Sequence, residues 1–274
     1  MRSVRDFTDD GDTSDTPSGH GTMMSSIAAS THPSCPGVAA HAEVHIFKIF
    51  NAQGISYTSW FIAAFDAALE LGIDVVNLSN GGADFLDEPF VAKVNEAVAR
   101  GVLIVGSIGN DGPDHGTLHS PADLPNVVGV GALGPKGGVA HFQSRGMTTW
   151  NLTNGVGFIK PDLVTAGERI RVLGPDGDCV ETSGTSTSAA VVSSVAAVAI
   201  AAVPPEKRHL LTPGLLKSAF LQSAVRLIGA PVSEQGAGRM DEKRFLSLIT
   251  AFAESNEPAE DIVRTSEEAS SPLT

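Results

Sequence analysis

The sequence from Ile73 to Asn110 is IDVVNLSNGGADFLDEPFVAKVNEAVARGVLIVGSIGN. It begins with a mostly apolar run, Ile73 to Leu78, and a second apolar run, Val102 to Val105, follows about one helix length later. Between them, apolar residues recur at helical spacing from Phe90 to Val98, and Gly101 is a typical helix end. This strand, helix, strand order predicts a parallel sheet with helices on both faces.

The same alternation extends to both sides of this unit. Ser56 to Leu71 has apolar residues at helical spacing, and Ala189 to Val203 is almost entirely apolar. The fold class is therefore α/β. The other predicted elements are strands at Glu43 to Phe50, Val127 to Val130 and Val139 to Phe142, and helices at Pro213 to Leu227 and Asp241 to Phe252.

Three polar residues beside glycines are candidates for acyl-transfer chemistry. Ser186 precedes the long apolar helix, His20 lies between two glycines, and Asn110 follows a predicted strand. A serine hydroxyl needs a base to take its proton, and the carbonyl oxygen under attack needs hydrogen-bond donors. Each residue alone would be a helix cap, a surface histidine or a turn former. Together they predict a nucleophile, a base and an oxyanion donor.

Four short motifs occur around these residues, in this order: His20-Gly21-Thr22, Ser79-Asn80-Gly81, Gly109-Asn110 and Gly184-Thr185-Ser186. They resemble the motifs of the subtilisin-like serine proteases, in the order of that family. Longer stretches, such as Ile108 to Pro113 and Ser144 to Trp150, are similar to the site-1 protease branch of the family.

The resemblance implies a serine endopeptidase that acts on extended peptides. It implies that substrate pairs with Ser79, Asn80 and Gly81. Asp84, Asp87 and Glu88 are then candidates to hold a basic residue upstream of the cut. By the same resemblance the location would be the secretory lumen, with cleavage of membrane-bound precursors. No cofactor is implied for the chemistry, and structural calcium stays unassigned because no ligand loop is convincing.

One part of the family pattern is missing. The family's catalytic aspartate ends a buried strand well before the histidine, whereas only nineteen residues precede His20. Asp9-Asp10-Gly11 matches the expected turn, but the residues before it do not form a buried strand, so we expect a solvated loop. Either N-terminal strands are missing, which we favour, or the protein is a pseudoprotease that binds peptides. The remaining acids near the start are Asp6, Asp12 and Asp15.

Length and composition fit one globular domain. We assign residues 1–252 to the peptidase domain and 253–274, which is acidic and lacks aromatic residues, to a disordered tail. The formal net charge of −13 opposes binding to nucleic acid or anionic lipid. No signal peptide or membrane span is visible, since the apolar run is short and ends at two prolines.

The cysteine and histidine content favours neither a disulfide framework nor a metal site. Cys35 and Cys179 are far apart in sequence, and a bridge between them is not favoured. His32 is near Cys35 at ligand-like spacing, but no second pair accompanies it, so no metal is assigned. An α/β-hydrolase esterase is also disfavoured, because Ser188 replaces the last glycine of its motif and the histidine precedes the serine.

Overall fold

The computed structural model describes residues 3–148 and 157–255. Of the expected tail at 253–274, Ala253 and Glu254 instead belong to the last helix, where Ala253 is buried, and residues 256–274 lie outside these ranges. The helices are α1 (His20–Ala29), α2 (Thr58–Leu71), α3 (Glu88–Ala99), α4 (Thr185–Ala202), α5 (Pro213–Ser223), α6 (Val232–Gln235) and α7 (Glu242–Glu254), with a 3-10 helix at Pro205–Leu210. The strands are β1 (Ser3–Asp6), β2 (His45–Lys48), β3 (Val75–Leu78), β4 (Leu103–Ser107), β5 (Val128–Leu133), β6 (Gly146–Met147), β7 (Ile159–Lys160), β8 (Leu163–Ala166), β9 (Ile170–Leu173) and β10 (Cys179–Thr182).

The main sheet contains four parallel strands in the order β3-β4-β5-β8. Strands β4 and β5 are buried along their whole length. One face of the sheet packs against α4, α5 and α7, and the other packs against α2 and α3. The predicted α/β class with helices on both faces is therefore confirmed.

A second, two-stranded parallel sheet is formed by β1 and β2. The described residues contain no strand pairing between β2 and β3, although α2 joins them along the chain. Every residue of β2 is only partly buried, and Asn77 in β3 is exposed. The two sheets are thus separated at the position where a continuous sheet would have its centre.

Helix α4 is long and apolar enough, by length and composition, to cross a membrane. Two-thirds of it is nevertheless buried inside the protein, where it packs on β3, β4, β5 and β8. This burial agrees with its interpretation as a core helix.

Several sequence-based boundaries differ from the structure. The segment from Val139 to Phe142 is not a strand, because only Val139 forms a bridge, with Leu133, before the chain turns at Gln143. Helix α5 ends at Ser223 because Val225 leaves it to pair with Arg239. Strand β1 was not predicted at all; its partly exposed residues alternate with charges and lack the apolar run that marks the buried strands.

The disfavoured disulfide is present. Cys35 and Cys179 form a bridge across 144 residues, and their Cα atoms are 6.0 Å apart. Cys35 follows α1, and Cys179 opens β10 just ahead of Ser186, so the bridge connects the segments that carry two candidate catalytic residues. Sequence separation gave no sign of this contact, because α1 packs beside β9 only in the folded chain.

Candidate active site

Ser186 lies in the first turn of α4 and is hydrogen bonded to the end of β3. Its hydroxyl donates to the carbonyl oxygen of Ser79 at 2.9 Å, and the Ser79 hydroxyl donates to the carbonyl oxygen of Ser186 at 2.9 Å. Asn77 donates to the Ser79 hydroxyl and accepts a hydrogen bond from Ser193. These bonds fix the predicted substrate segment against the start of the nucleophile helix.

Asn110 is held by the residue that precedes Ser186. Its Oδ1 accepts hydrogen bonds from the backbone N–H of Thr185 at 2.9 Å and from the Thr185 hydroxyl at 3.0 Å. The amide group Nδ2 then has no partner among the described residues. The arrangement leaves one donor free beside the nucleophile, which is what an oxyanion site requires.

Gly109 allows the chain to pass closely between two side chains. A Cβ atom at this position would lie 2.5 Å from Ser144 Oγ and 2.8 Å from His119 Cδ2. The φ angle of +114° is also one that residues with a side chain rarely adopt. A glycine before Asn110 is therefore a requirement of packing as well as of backbone conformation.

His20 begins α1, which packs along α4. Met24 and Ala190, each four residues beyond a candidate catalytic residue, belong to the same buried cluster. Burial lowers the pKa of His20, and the negative charge of Asp15 partly opposes this shift. The His20 ring makes no hydrogen bond with the described residues, so the structure does not join it to Ser186.

Asp15 is the acid that interacts with the start of α1. It accepts hydrogen bonds from the backbone N–H and the hydroxyl of Thr22, at 2.6 and 2.7 Å. Desolvation acts to raise the pKa of Asp15, but the hydrogen bonds from Thr22, Thr16 and Gly21 outweigh it and hold the pKa below its usual value. Asp15 thus stabilises the helix N-terminus, and its carboxylate is committed to backbone donors.

The other early acids are bound within their own loop or to the neighbouring segment. Asp6 ends β1 and accepts from Thr8 and Gly11, while Asp10 and Asp12 pair with Lys48. Asp9 accepts from Asn51. None of these carboxylates bonds the His20 ring, in agreement with the expected loop.

A cavity of about 1000 Å³ separates the two sheets. All residues of β2 and β3 line its sides, α1 and α4 cover one face, and α2 covers the other. His20, Asp15 and Ser79 line the same cavity. It therefore runs between two unpaired strand edges and reaches the predicted base.

Ser79 and Asn80 line this cavity, and Gly81 follows them in the chain. Gly82 pairs with Ser120 in an antiparallel bridge, and a Cβ atom on Gly81 would lie 2.6 Å from the Ser120 carbonyl oxygen. Asp87, a candidate for binding a basic residue, caps α3 by accepting from Phe90 N–H at 3.1 Å and also accepts from Thr58.

Two places among the described residues have the composition of a cation site. His32 Nδ1 lies 3.5 and 3.2 Å from the sulfur atoms of Cys35 and Cys179, but both sulfurs are in the disulfide. Elsewhere, the Lys160 and Lys217 ammonium groups contact the Asp162 carboxylate and the carbonyl oxygens of three residues, Leu124, Pro125 and Val127. Carbonyl and carboxylate oxygens are ligands that hard cations prefer, and here two lysines occupy them.

The model of the peptidase S8 family, described as the subtilase family, matches residues 2–240. The chain belongs to the subtilase family. It is 45% identical over 234 residues to the "Membrane-bound transcription factor site-1 protease" of Homo sapiens and of Rattus norvegicus, covering 85% of this chain. It is 41% identical over 235 residues to "Subtilisin-like protease SBT6.1" of Arabidopsis thaliana. The chain spans only 22–23% of the length of these relatives.

A solved protease structure agrees with the fold of this chain. "Structure of Patellamide maturation protease PatA" matches with a TM-score of 0.74 and covers 91% of this chain and 90% of that one. The sequence identity is 24%, so this likeness concerns the fold alone.

The sequence missed residues that hold the predicted ones in place. Thr22 and Thr185 are the threonines of two of the motifs. Thr22 donates to the carboxylate of Asp15, seven residues earlier, and Thr185 donates to the side chain of Asn110, 75 residues earlier. His119 and Asp111, which contact each other beside Gly109, were not singled out either. The sequence did contain one indication of the threonines, since a Gly-Thr pair adjoins both His20 and Ser186.

Proposed function

We propose that this subtilase is a serine endopeptidase, with residues 1–252 as its peptidase domain. The single observation that carries the proposal is the hydrogen-bonded set of Ser186, Thr185, Asn110 and Ser79. It brings a nucleophile, a free amide donor and a backbone edge together. The family membership and the likeness to site-1 proteases support the same activity.

In the proposed reaction, Ser186 Oγ attacks the carbonyl carbon of the peptide bond while His20 takes the hydroxyl proton. The carbonyl oxygen becomes negative and accepts hydrogen bonds from Asn110 Nδ2 and from the backbone N–H of Ser186, near the positive end of α4. His20 then gives its proton to the leaving amine, which leaves an acyl-enzyme that water hydrolyses. Lowering the pKa of His20 keeps its ring neutral and able to accept a proton.

For His20 to reach Ser186, the serine hydroxyl must turn away from the Ser79 carbonyl and the ring must be oriented. In serine proteases a carboxylate on the far side of the ring supplies that orientation. The acids near the start of the chain are committed elsewhere. We propose that the carboxylate is carried on an extended strand that enters the cavity between β2 and β3.

The shape of the cavity supports this assignment. A strand placed there would pair with the free edges of β2 and β3 and would bury the apolar side chains that now line the cavity. Helix α2 connects β2 and β3 as a parallel crossover would, so an added parallel strand ends on the side where Ser79 and His20 lie. Its last residue is therefore the one that can meet the ring.

The proposed substrate is a peptide or protein segment bound in extended form along Ser79, Asn80 and Gly81. A basic residue upstream of the cut would lie toward Asp84 and Glu88. Asp87 is a poorer partner for it, because its carboxylate already caps α3. Charge reversal at Glu88, with Asp87 kept, separates recognition of the basic residue from loss of the cap.

We propose the secretory lumen as the location, with precursors anchored in membranes as the substrates. The Cys35–Cys179 bridge supports an oxidising compartment, where disulfides persist. The names of the mammalian relatives, which refer to a membrane-bound transcription factor, support the substrate class.

A fluorophosphonate probe tests the chemistry. The chain is extended ahead of Met1 by a flexible linker and an apolar strand ending in Asp, and the matched control ends in Asn. We expect Ser186 to be labelled, with the Asp form about 10⁴-fold faster in peptide turnover than the Asn form. Ser186→Ala must abolish labelling.

Absence of labelling in the Asp form, with peptide binding retained, would instead establish a peptide-binding pseudoprotease. Equal rates for the Asp and Asn forms would contradict the proposed entry of a strand and leave the Ser186 chemistry intact.

A further inference from the structure

His119 lies between the Ser79-Asn80-Gly81 segment and the Gly109-Asn110 turn. Its ring packs against Gly109, where a Cβ atom would lie 2.8 Å from Cδ2. Its own Cβ atom lies 3.1 Å from the position of a Cβ on Gly81. One histidine thus contacts both the predicted substrate segment and the turn that carries Asn110.

One hydrogen bond holds the ring of His119, and another holds its backbone. Nε2 is hydrogen bonded to the Asp111 carboxylate, and the backbone N–H of His119 donates to the Ile108 carbonyl at 3.0 Å. Asp111 is itself held through its backbone N–H by Ser144 Oγ at 3.0 Å. The other ring nitrogen, Nδ1, has no partner in the described part of the chain.

A substrate bound as in the proposed function would direct the side chain of its reacting residue toward this ring. This step rests on the proposed function. If Ser186 attacks the carbonyl carbon, Asn110 holds its oxygen and the backbone follows Ser79 to Gly81, then the side chain has to pass between Gly81 and Gly109. Both walls are glycines, so they contribute no side chains, and the His119 ring closes the space between them.

We infer that His119 is a specificity-determining residue of this protease: its ring limits the depth of the pocket for the residue on the acyl side of the cut. The pocket takes a short side chain and excludes an aromatic one, since the ring occupies the space an aromatic group would need. Between two substrate side chains of similar shape, such as Leu and Asn, the pocket favours the carboxamide of Asn, because His119 Nδ1 is free to form a hydrogen bond with it.

The test compares four peptidyl diphenyl phosphonates that differ only in the reacting residue, which is Ala, Leu, Asn or Phe. These compounds phosphonylate the active serine and release phenol. For the wild-type sequence, in the strand-extended form described above, we expect Ala to react at least tenfold faster than Phe, and Asn faster than the similarly shaped Leu.

His119→Ala opens the pocket, so the ratio of the Ala to the Phe rate constant is expected to fall at least tenfold and the preference for Asn over Leu to disappear. His119→Asn is a second variant that keeps a polar group but shortens the side chain, and the Ala to Phe ratio should fall with it too. His115→Ala is the matched control, because His115 is an exposed histidine on the same loop. Its ratios should equal those of the wild type.

A second readout does not depend on the chemistry. Product peptides ending in Ala, Leu, Asn or Phe are bound to the Ser186→Ala protein, and the ratios of their dissociation constants are compared with and without His119→Ala. Ratios that stay within twofold would overturn the role of His119. Loss of all phosphonate labelling with shifted binding ratios would overturn the proposed chemistry and leave the role of His119 supported.

Discussion

The hydroxyl of Ser186 donates its hydrogen bond to the carbonyl oxygen of Ser79, 2.9 Å away. The nucleophile is therefore held by the same backbone edge that we assign to the substrate. A peptide that pairs with this edge offers its own N–H to the Ser79 carbonyl and so frees the Ser186 hydroxyl to turn toward His20. We therefore expect that substrate binding itself releases the Ser186 hydroxyl from the Ser79 carbonyl oxygen.

This competition predicts that the amide N–H of the reacting residue matters for rate. N-methylation of that amide in a peptidyl phosphonate should slow labelling of Ser186 by roughly tenfold, because the Ser79 carbonyl then keeps the serine hydroxyl. The measurement is the second-order rate constant. Methylation of an amide beyond the reach of residues 79–81 serves as the control, and an equal loss from both would contradict the mechanism.

Asn110 has two separable roles: its Oδ1 accepts hydrogen bonds from Thr185, and its Nδ2 is the proposed donor to the oxyanion. Asn110→Asp keeps an oxygen for Thr185 but removes the Nδ2 donor and adds a negative charge beside the developing oxyanion. We expect turnover to fall by at least 10²- to 10³-fold while the thermal unfolding midpoint changes little. Thr185→Val is the complementary change, since it removes the hydroxyl that positions Asn110. A rate unchanged by Asn110→Asp would exclude Asn110 from the oxyanion site.

His20 sets the acid limb of the pH profile. Burial lowers its pKa from 6.5, so the ring is neutral at pH 7 and becomes protonated only in more acidic solution. In the Asn form of the strand-extended chain, which has no added carboxylate against the ring, labelling of Ser186 should be complete near neutrality and fall as the pH drops through a midpoint below 6.5. Asp15→Asn removes a charge that raises this pKa, so the midpoint should move further down. A midpoint that moves up would contradict the assignment of His20.

Sequence reasoning succeeded where the signal is local and failed where it depends on long-range contacts. The apolar residues around Phe90 and Val102 predicted α3 and the buried strand β4 correctly. The spacing of apolar residues along each element follows from the side on which that element packs against the core. The four motifs also predicted that Asn110 lies near Ser186, and Asn110 is bound at the start of the Ser186 helix. The contact of His119 with Gly109, the Cys35–Cys179 bridge and strand β1 left no such pattern, since each depends on segments that meet only after folding.

The buried amino group of Lys160 should make the free energy of unfolding vary with pH in the alkaline range. Its burial lowers the pKa from 10.5 to about 8, although Asp162 opposes the shift. At pH values between about 8 and 10.5, Lys160 is protonated in the unfolded chain but mostly deprotonated in the folded one. The free energy of unfolding should therefore rise with pH in this range, by up to about 3 kcal/mol from this residue. Urea unfolding at pH 8 and pH 10 measures the rise. Lys160→Met should remove this contribution, and an equal slope in both proteins would contradict it.

The disulfide should contribute strongly to stability. Replacing both Cys35 and Cys179 by alanine removes a link that closes a loop of 144 residues in the unfolded chain. By loop-closure entropy we expect a loss of about 3–5 kcal/mol, measured as the shift of the urea midpoint. Double replacement avoids a free thiol, and the wild-type protein under reducing conditions should match it. A loss below about 1 kcal/mol would show that α1 and the β9–β10 hairpin hold together without the bridge.

The bridge also decides what becomes of a chain that is cut. A single break at any peptide bond between Cys35 and Cys179 leaves the two pieces covalently joined, because the sulfur link spans the break. His20 and Ser186 lie outside that span, one on each piece, and so remain tethered. A single self-cleavage in the intervening loops would thus add only one water to the mass of the molecule, and two smaller fragments would separate only after reduction.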